Sequence, residues 1–360
     1  MVVFPLFFML TITACNNIET TWTSAANPNT EANLTTETSQ EPFELTQETK
    51  QPVQEATYLR GINLGNALES PPAEDWGVTI QETYFQTIRE AGFNAVRIPV
   101  RFSDYTSPGP EYHIHEDFFK VVDNAVQWGL GNDLIVILDL HHFDAFKQDP
   151  QGEQEKFLAI WDQISERYQD MPPEMYFELL SEPSTNITSA FWNNALRDAI
   201  TIIRETNPTR KILVNGIDYA NVNALATLEL PDDDNLIATF HYYEPFEFTH
   251  QGASWVSNSS NWIGTTWDGT NKEMAEIRES LDMAVEWSLL HETRVIIGEF
   301  GVNNTADPAS RQAWFRSLTK EAQARGIGWF VWQFCSDFGI YDCDLSVWDE
   351  DILNTLQGLD

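Results

Sequence analysis

Eight short apolar runs, separated by longer amphipathic stretches, constrain the fold of this chain most strongly. The run at 134–138, LIVIL, is apolar at every position, which is typical of a parallel strand buried on both faces. The predicted strands are Tyr58–Gly65, Phe93–Pro99, Leu134–His141, Met175–Ser181, Lys211–Asn215, Leu236–His241, Arg294–Glu299 and Ile327–Gln333. Eight β–α units in about 300 residues predict an α/β protein whose single large domain is a closed (β/α)8 barrel, or TIM barrel.

The stretches between these runs carry apolar residues at helical spacing. Glu153–Tyr168 and Lys272–Leu290 each place their large apolar side chains on one stripe, the second through Ile277, Leu281 and Leu289. An open, doubly wound sheet is the alternative that shows the same alternation of elements. The closed barrel is favoured because no glycine-rich phosphate-binding turn follows any predicted strand.

The acidic composition limits the kinds of partner. The chain carries 55 acidic and 20 basic side chains, a formal net charge of −35. Such a chain cannot neutralise a nucleic-acid backbone and is repelled by anionic lipid, so a neutral polymer suits it better. The 13 Trp and 10 Tyr favour carbohydrate, whose flat C–H faces stack on aromatic rings, although each ring taken alone could serve the core instead.

Residues 1–15 are expected to be a signal peptide with a lipobox-like end. Residues 1–14 are apolar but too short for a helix that spans a bilayer. The segment ITAC at 12–15 resembles a bacterial lipobox, in which Cys15 would receive the lipid anchor. No Lys or Arg precedes Lys50, so the usual basic leader is missing, and a cleaved signal with an incidental cysteine is the alternative. The protein is therefore expected to be exported, as a lipoprotein of the bacterial cell surface or outer membrane or as a secreted protein.

Residues 16–56 are rich in Thr, Asn, Glu and Gln and show no periodicity, which predicts a disordered polar linker. Residues 57–360 remain for the barrel domain. Within it, Cys335 and Cys343 share one loop after the eighth predicted strand. An exported protein can keep such a pair oxidised, so a disulfide is one interpretation and two free thiols are the other.

Polar and aromatic residues gather at the carboxyl ends of the predicted strands, where barrel proteins place their active sites. These residues are Arg97, His141, His142, Glu182, His241, Tyr243, Glu299 and Trp332. Glu182 ends the fourth predicted strand and Glu299 the seventh, so both could meet across the barrel mouth. Two facing carboxyls are what hydrolysis of a glycosidic bond requires, at about 5–5.5 Å in a retaining enzyme. A structural ion pair is the alternative for either glutamate. The glycines Gly298 and Gly301 beside Glu299 are expected to let the backbone approach a ligand.

Several motifs together resemble glycoside hydrolase family 5, in its cellulase-like branch. They are RGINLGNALE, FNAVRIPV, LDLHH, FELLSEP, HYYEPFEFTHQGASW, IGEFG and WFVWQFCS, in the family's order over nearly all of residues 58–360. The resemblance implies that Glu182 is the acid/base and Glu299 the nucleophile. It implies that Arg97 hydrogen-bonds the nucleophile and that Trp332 forms a platform beneath the sugar. It further implies substrate contacts at His241, Tyr243, Asn66, Glu69, His250 and Trp255.

The pair His141-His142 raises the question of a metal site. Adjacent strand residues point to opposite faces, which argues against one ion bound by both, and no metal or cofactor is expected. His142 is expected to hydrogen-bond a sugar, with His141 near the next subsite. A purely structural role for one of the two is the alternative.

One motif departs from the family pattern. Where the family has Asn-Glu-Pro, this chain has Ser181-Glu182-Pro183. The asparagine amide would donate to the sugar 2-hydroxyl, a bond that strengthens in the transition state, and serine is too short to replace it directly. The expected function is a retaining endo-β-1,4-glucanase, or cellulase, that acts as a monomer on β-glucan polysaccharides. The alternatives are a β-mannanase or glucomannanase of the same family, and a weakened surface lipoprotein that mainly binds glycan.

Overall fold

Eight parallel strands close into a barrel in the computed structural model, which describes residues 58–359. The strands are β1 (Arg60–Asn63), β2 (Ala95–Val100), β3 (Ile135–Leu140), β4 (Met175–Glu178), β5 (Ile212–Val214), β6 (Leu236–Tyr242), β7 (Arg294–Phe300) and β8 (Gly328–Val331). Each strand pairs with its neighbours in chain order, and β8 pairs with β1 through partners such as Phe330 and Gly61. The predicted (β/α)8 barrel is confirmed, and the open-sheet alternative is wrong.

Helices follow the strands and cover the barrel. They are α1 (Glu82–Glu90), α2 (Glu116–Gly131), α3 (Asp144–Gln148), α4 (Pro150–Arg167), α5 (Ser189–Thr206), the single turns α6 (Ile217–Ala220) and α7 (Phe246–Thr249), α8 (Asn271–His291), α9 (Pro308–Ala324) and α10 (Glu350–Gln357). Three 3₁₀ segments, Phe102–Tyr105, Val222–Thr227 and Ser259–Trp262, lie in loops. None of the helices described is long and apolar enough to cross a membrane.

Local sequence signals explain where the two predicted helices begin. Asp149 caps α4 by accepting from the Gly152 N–H, and Pro150 occupies its first turn, where no N–H is needed. A capping box between Thr270 and Glu273 starts α8. The predicted stripe of α8 is wrong at one end, because Leu289 is 47% exposed. The buried face of the helix runs through Ala284 and Trp287 instead.

Two apolar layers hold the barrel together. A small cluster fills its interior with residues from or beside each strand: Leu59, Ala95, Ile137, Tyr176, Leu213, Ile237, Ile296 and Phe330. A larger cluster lies between the strands and the helices and includes Trp161, Trp192 and Trp314. Gly61 is required where it stands, since a Cβ there would lie 2.1 Å from the Phe330 ring. This packed interior closes the barrel and leaves the strand ends as the place for a site.

The segment after β8 folds back as a hairpin of two short strands, β9 (Tyr341–Asp342) and β10 (Val347–Trp348). A disulfide joins Cys335 to Cys343, with the two Cα atoms 5.9 Å apart. The predicted signal peptide at 1–15 with its lipid anchor at Cys15 and the predicted linker at 16–56 lie outside the described residues, and they stay predictions.

Candidate active site

The two predicted catalytic glutamates come from different local structures. Glu299 lies in β7, next to its last residue, and is buried. Glu182 was expected at the end of the fourth strand, but β4 ends at Glu178 and Glu182 lies four residues beyond it. Its φ of 54° is left-handed, a conformation that costs a non-glycine residue about 1–2 kcal/mol. This turn brings the half-buried Glu182 side chain back over the barrel mouth.

Carboxylate oxygens of Glu182 and Glu299 and a ring nitrogen of His241 all lie within 4.8 Å of one another. His241 Nδ1 is 3.1 Å from Glu182 Oε1 and 3.5 Å from Glu299 Oε2. The Tyr243 hydroxyl donates to Glu299 Oε2 at 3.0 Å. Among residues 58–359 these three side chains form the one group with enough nearby donor atoms for a metal ion, and the adjacent pair His141-His142 does not belong to it.

The glycines beside Glu299 serve packing within the protein. A Cβ at Gly298 would lie 2.4 Å from the Thr239 hydroxyl oxygen, and one at Gly301 would lie 1.9 Å from the Trp332 carbonyl oxygen. The absence of side chains therefore lets β7 approach β6 and the segment after β8. These glycines were expected to let the backbone approach a ligand, but the space beside each of them is filled by atoms of the protein itself.

Arg97 on β2 is fully buried beneath Glu299 and holds it in place. Its Nη1 donates to Glu299 Oε1 at 2.7 Å and to Asn63 Oδ1 at 2.9 Å. Its Nε and Nη2 bind both oxygens of Glu178, at 2.7 and 2.9 Å. Burial alone would lower the pKa of Arg97, but the charges of Asp139, Glu178 and Glu299 outweigh burial and hold it well above its usual value. The arginine is thus a permanent cation beside Glu299.

Asp139, a buried residue of β3, connects Arg97 to His141. Asp139 Oδ2 lies 3.0 Å from Arg97 Nη2 and 2.5 Å from His141 Nδ1. Burial raises the pKa of Asp139 to about 6 although Arg97 opposes the rise, and burial also lowers the pKa of His141 well below its usual value. The imidazole of His141 is therefore neutral and fixed in orientation by Asp139.

Glu182 and His241 are hydrogen-bonded to each other, so the pKa of each depends on the charge of the other. Burial would raise the pKa of Glu182, but the hydrogen bond and the charge of His241 outweigh burial and lower it to about 2. Burial would likewise lower the pKa of His241, but the charges of Glu299 and Glu182 raise it instead. Burial and the charge of Glu299 raise the pKa of Tyr243, which keeps its hydroxyl a donor. Both shifts favour an ion pair between the Glu182 carboxylate and the His241 imidazolium.

Ser181 stands below this group, where the family pattern has asparagine. It is buried, and its Oγ accepts from Arg97 Nη2 at 3.2 Å. The serine hydroxyl is thus one of the hydrogen-bond acceptors of Arg97.

Aromatic rings line the mouth on the β8 side. The Trp332 ring lies parallel to the His141 ring, with centroids 5.9 Å apart and an interplanar angle of 11°. The His142 ring is perpendicular to that of His141, with centroids 4.2 Å apart, and forms a T-shaped contact with the Trp76 ring, with centroids 5.8 Å apart. Burial lowers the pKa of His142 well below its usual value, so it offers a neutral imidazole. Trp76 is an aromatic residue of the site that the sequence did not single out.

In the loop after β1, Asn66 contacts a residue of another loop, whereas Glu69 points into the protein. Asn66 Nδ2 donates to Ser336 Oγ at 2.9 Å across the cleft edge. Glu69 is fully buried, and its carboxylate accepts from the backbone N–H groups of Asn66 and Ala67. Burial raises the pKa of Glu69 to about 7. The glutamate therefore holds the loop that carries Asn66, and its predicted substrate contact stays a prediction.

The loop after β6 carries the remaining predicted residues. His250 is buried against Phe246, Tyr243 and Phe338, with ring centroids 4.0, 5.0 and 5.3 Å away. Burial lowers its pKa to about 4. Trp255 is 57% exposed and lies 5.8 Å from the Phe338 ring, so one face is open to solvent. Both side chains border the cleft on the side of Tyr243 and Glu299.

Two charged residues of the site, Asp139 and Glu178, were not predicted from the sequence. Asp139 and Glu178 are single charged residues inside otherwise apolar strands, and that isolation was the signal that could have found them.

A parallel barrel that gathers paired glutamates, a buried arginine and aromatic rings at its strand ends defines the class of barrel glycoside hydrolases. The family model for cellulases of glycosyl hydrolase family 5 matches residues 46–338. The chain belongs to this family.

Relatives of the chain are named for cellulose chemistry. Endoglucanase H of Acetivibrio thermocellus is 36% identical over 302 residues, which cover 82% of this chain but only 32% of that longer protein. The crystal structure of cellulose synthase subunit Z from Clostridioides difficile has a TM-score of 0.82 at 43% identity, covering 83% of this chain and 99% of that one. Cel5A of Thermotoga maritima, solved with cellobiose and with mannotriose, has a TM-score of 0.81 at 40% identity, covering 83% of this chain and 97% of that one.

Proposed function

We propose that this chain is a retaining endo-β-1,4-glucanase that cleaves β-glucan backbones by double displacement. The observation that carries the proposal is that one carboxylate oxygen of Glu182 and one of Glu299 lie within 4.8 Å of each other. Retaining enzymes hold their carboxyls about 5–5.5 Å apart, whereas inverting enzymes need about 6.5–9.5 Å to admit a water. The short separation of the two glutamates therefore supports the retaining mechanism.

Glu299 is the nucleophile in this proposal. Arg97 and Tyr243 donate to its two oxygens at 2.7 and 3.0 Å, which holds the carboxylate in one orientation. Attack on the anomeric carbon forms a bond from a Glu299 oxygen and breaks the bond to the leaving oxygen. The ester that results is then hydrolysed by water.

Glu182 gives the leaving oxygen its proton and later takes one from the attacking water. The raised pKa of His241 favours a proton on this imidazole, whose Nδ1 lies 3.1 Å from Glu182 Oε1. We therefore include a proton transfer from His241 Nδ1 to Glu182 Oε1 when the sugar displaces solvent. This transfer leaves a neutral imidazole beside the nucleophile and a protonated acid beside the leaving group.

The substrate is proposed to be a β-1,4-glucan, with β-mannan or glucomannan as the alternative. Glucose and mannose differ in the configuration of the hydroxyl at C2, which would lie next to Ser181, the residue that replaces the asparagine of the family. Cel5A of Thermotoga maritima was solved with ligands of both types. Initial rates on carboxymethylcellulose, barley β-glucan and galactomannan test the choice, and a higher kcat/KM on galactomannan would reverse it.

A glycan-binding lipoprotein without catalysis is the second candidate, favoured by Ser181. Reducing-sugar release by the wild type and by Glu299→Gln distinguishes the two. Equal background release would establish the binding protein, and release by the wild type alone would establish the enzyme. The Glu182, His241 and Glu299 cluster also allows a metal-dependent hydrolase, and activity that EDTA abolishes and Zn²⁺ restores would favour it.

Export to the cell surface and a monomeric state are proposed with this function. A polymer too large to enter a cell must be met outside, and the bond between Cys335 and Cys343 suits an oxidising compartment. Labelling with a fatty acid in cells expressing wild type and Cys15→Ser tests the lipid anchor. Light scattering tests the monomer.

A further inference from the structure

A groove of about 610 Å³ opens beside the catalytic cleft. The loop after β1 contributes Trp76 and Val78, the loop after β7 contributes Asn304, and the segment after β8 contributes Ser336, Asp344 and Val347. We call this feature the side groove. Its volume falls in the range of about 300–1,000 Å³ that small-molecule sites occupy.

The side groove shares two walls with the cleft. Trp76 lines the groove, and its ring forms the T-shaped contact with His142, with centroids 5.8 Å apart. Its indole N–H donates to Glu74 Oε2 at 2.9 Å, which fixes the ring. Ser336 also lines the groove and accepts from the Asn66 amide at 2.9 Å. A chain that passes His142 and Asn66 therefore reaches the groove next.

The position of the groove identifies which part of the substrate would reach it. The proposed acid Glu182 follows β4 and would protonate the leaving oxygen, so we place the leaving half of the chain on that side of the barrel. The side groove is formed around β8 and β1, and β8 is opposite β4 in a closed barrel of eight strands. The groove is therefore on the glycone side of the cleaved bond, beyond the sugar that Trp332 would support.

The lining selects a neutral sugar chain. Asp342 and Asp344 are exposed at the rim, and Arg311 is already paired with Asp349 at 2.7 Å. This surplus of carboxylates repels anionic ligands, whereas carboxylates accept hydrogen bonds from hydroxyl groups. The Trp76 ring offers a flat face for a pyranose ring.

We infer that the side groove binds the glycone end of a β-glycan chain several units from the cleaved bond. The inference rests on the proposed function, because it deepens the substrate preference of the same site toward long chains. Occupation of the groove strengthens binding of long oligosaccharides and leaves short ones unaffected, since only a long chain reaches from Trp332 past Trp76.

Two variants test the groove by different routes. Trp76→Ala removes the stacking surface. Val347→Arg fills the groove from β10, where residue 347 is 51% exposed and its strand partner is Asp342. Leu290→Ala, on α8 and 78% exposed, is the matched control for loss of an exposed apolar side chain. Val347→Arg leaves the contact between Trp76 and His142 intact, so it separates a groove effect from a disturbed His142.

The kinetic readout is kcat/KM on cellohexaose compared with p-nitrophenyl β-cellobioside. We expect both groove variants to lose about tenfold on cellohexaose, the scale of one well-stacked ring, and Val347→Arg to change the rate on the cellobioside by less than about twofold. Leu290→Ala should change neither. Equal losses on both substrates, or no loss on cellohexaose, would overturn the inference.

Binding to the Glu299→Gln protein keeps the two proposals separable. Calorimetry with cellohexaose and cellotriose should show about tenfold weaker cellohexaose binding when Trp76→Ala or Val347→Arg is added, with cellotriose unchanged. If the wild type hydrolyses nothing yet this binding difference appears, the proposed function fails and the groove stands. If hydrolysis is normal and the difference is absent, the groove fails alone.

Discussion

Arg97 and Glu299 form a buried ion pair in which Nη1 and Oε1 are 2.7 Å apart, and the same guanidinium also binds Glu178 with two hydrogen bonds. Asp139 completes a set of three carboxylates around one cation. Because the guanidinium is planar and has five donors, it can satisfy all three at once, whereas a lysine cannot. The position of Glu299 and the buried charges below the barrel mouth therefore depend on one residue.

We predict that Arg97→Lys lowers both activity and stability. Lysine keeps the positive charge but cannot hydrogen-bond all three carboxylates, so at least one stays buried without its partner, at a cost approaching the ~3–5 kcal/mol of a broken buried pair. Thermal unfolding should show a large fall in Tm, and kcat should fall with it. Arg167→Lys is the control, since Arg167 pairs with Asp123 and Glu116 at the surface. Similar small effects of the two substitutions would contradict the network.

Ser181→Asn is predicted to raise kcat on a β-1,4-glucan. The amide would restore a donor to the sugar 2-hydroxyl, and one such interaction is worth up to about 10²–10³ in rate. Stopped or continuous reducing-sugar assays measure the change, with Ser181→Ala reporting what the present hydroxyl contributes. An unchanged or lower kcat for Ser181→Asn would show that the site has adapted to the serine held by Arg97.

His241→Gln is predicted to move the alkaline limb of kcat/KM to lower pH. In the wild type the pair keeps its proton until pH exceeds the raised pKa of His241, and above that pH no acid remains. Glutamine can still hydrogen-bond Glu182 but carries no proton to transfer, so Glu182 must hold its own. The pH–rate profiles of both proteins test this shift. An alkaline limb that does not move would remove His241 from the proton path.

The same pair should contribute to stability over a limited pH window. The lowered pKa of Glu182 means that its contribution is complete above about 4.5, its unperturbed value, and is lost as pH falls toward about 2. The raised pKa of His241 means that its contribution is complete below about 6.5 and is lost as pH rises through the folded value. Chemical unfolding of wild type and His241→Gln should therefore differ most between about pH 4.5 and 6.5.

Loss of the disulfide is predicted to destabilise the segment after β8. Closing the short loop between Cys335 and Cys343 is worth about 2–3 kcal/mol in the chain-entropy estimate. Urea unfolding of the wild type with and without reductant, beside the double variant Cys335→Ser, Cys343→Ser, measures the effect. Reductant should lower the wild type to the level of the double variant and leave the variant unchanged. A wild type that reductant does not affect would show two free thiols.

Much of the fold could be predicted because parallel barrel strands are buried on both faces and leave unbroken apolar runs. All eight runs became strands, with ends that shift by a few residues. The fourth run was predicted through Ser181, yet β4 stops at Glu178. The left-handed turn at Glu182 ends the extended path, and a glutamate gives no sign of such a turn in the sequence.

The site was harder to predict where contacts join distant strands. The pairing of Arg97 with Asp139 and Glu178 links β2, β3 and β4, and no local pattern reveals which partners a buried charge will meet. Glu69 shows the opposite difficulty. It lies in a motif that resembles the substrate-binding residues of the family, but its carboxylate accepts a hydrogen bond from the backbone of its own loop.

The stereochemistry of the first product tests the central claim most directly. Proton NMR during early hydrolysis of a soluble β-1,4-gluco-oligosaccharide reports whether the new reducing end forms as the β or the α anomer. Two displacements, the first by Glu299 and the second by a water that Glu182 activates, predict the β anomer before mutarotation. Initial appearance of the α anomer would contradict a retaining site built on these two glutamates.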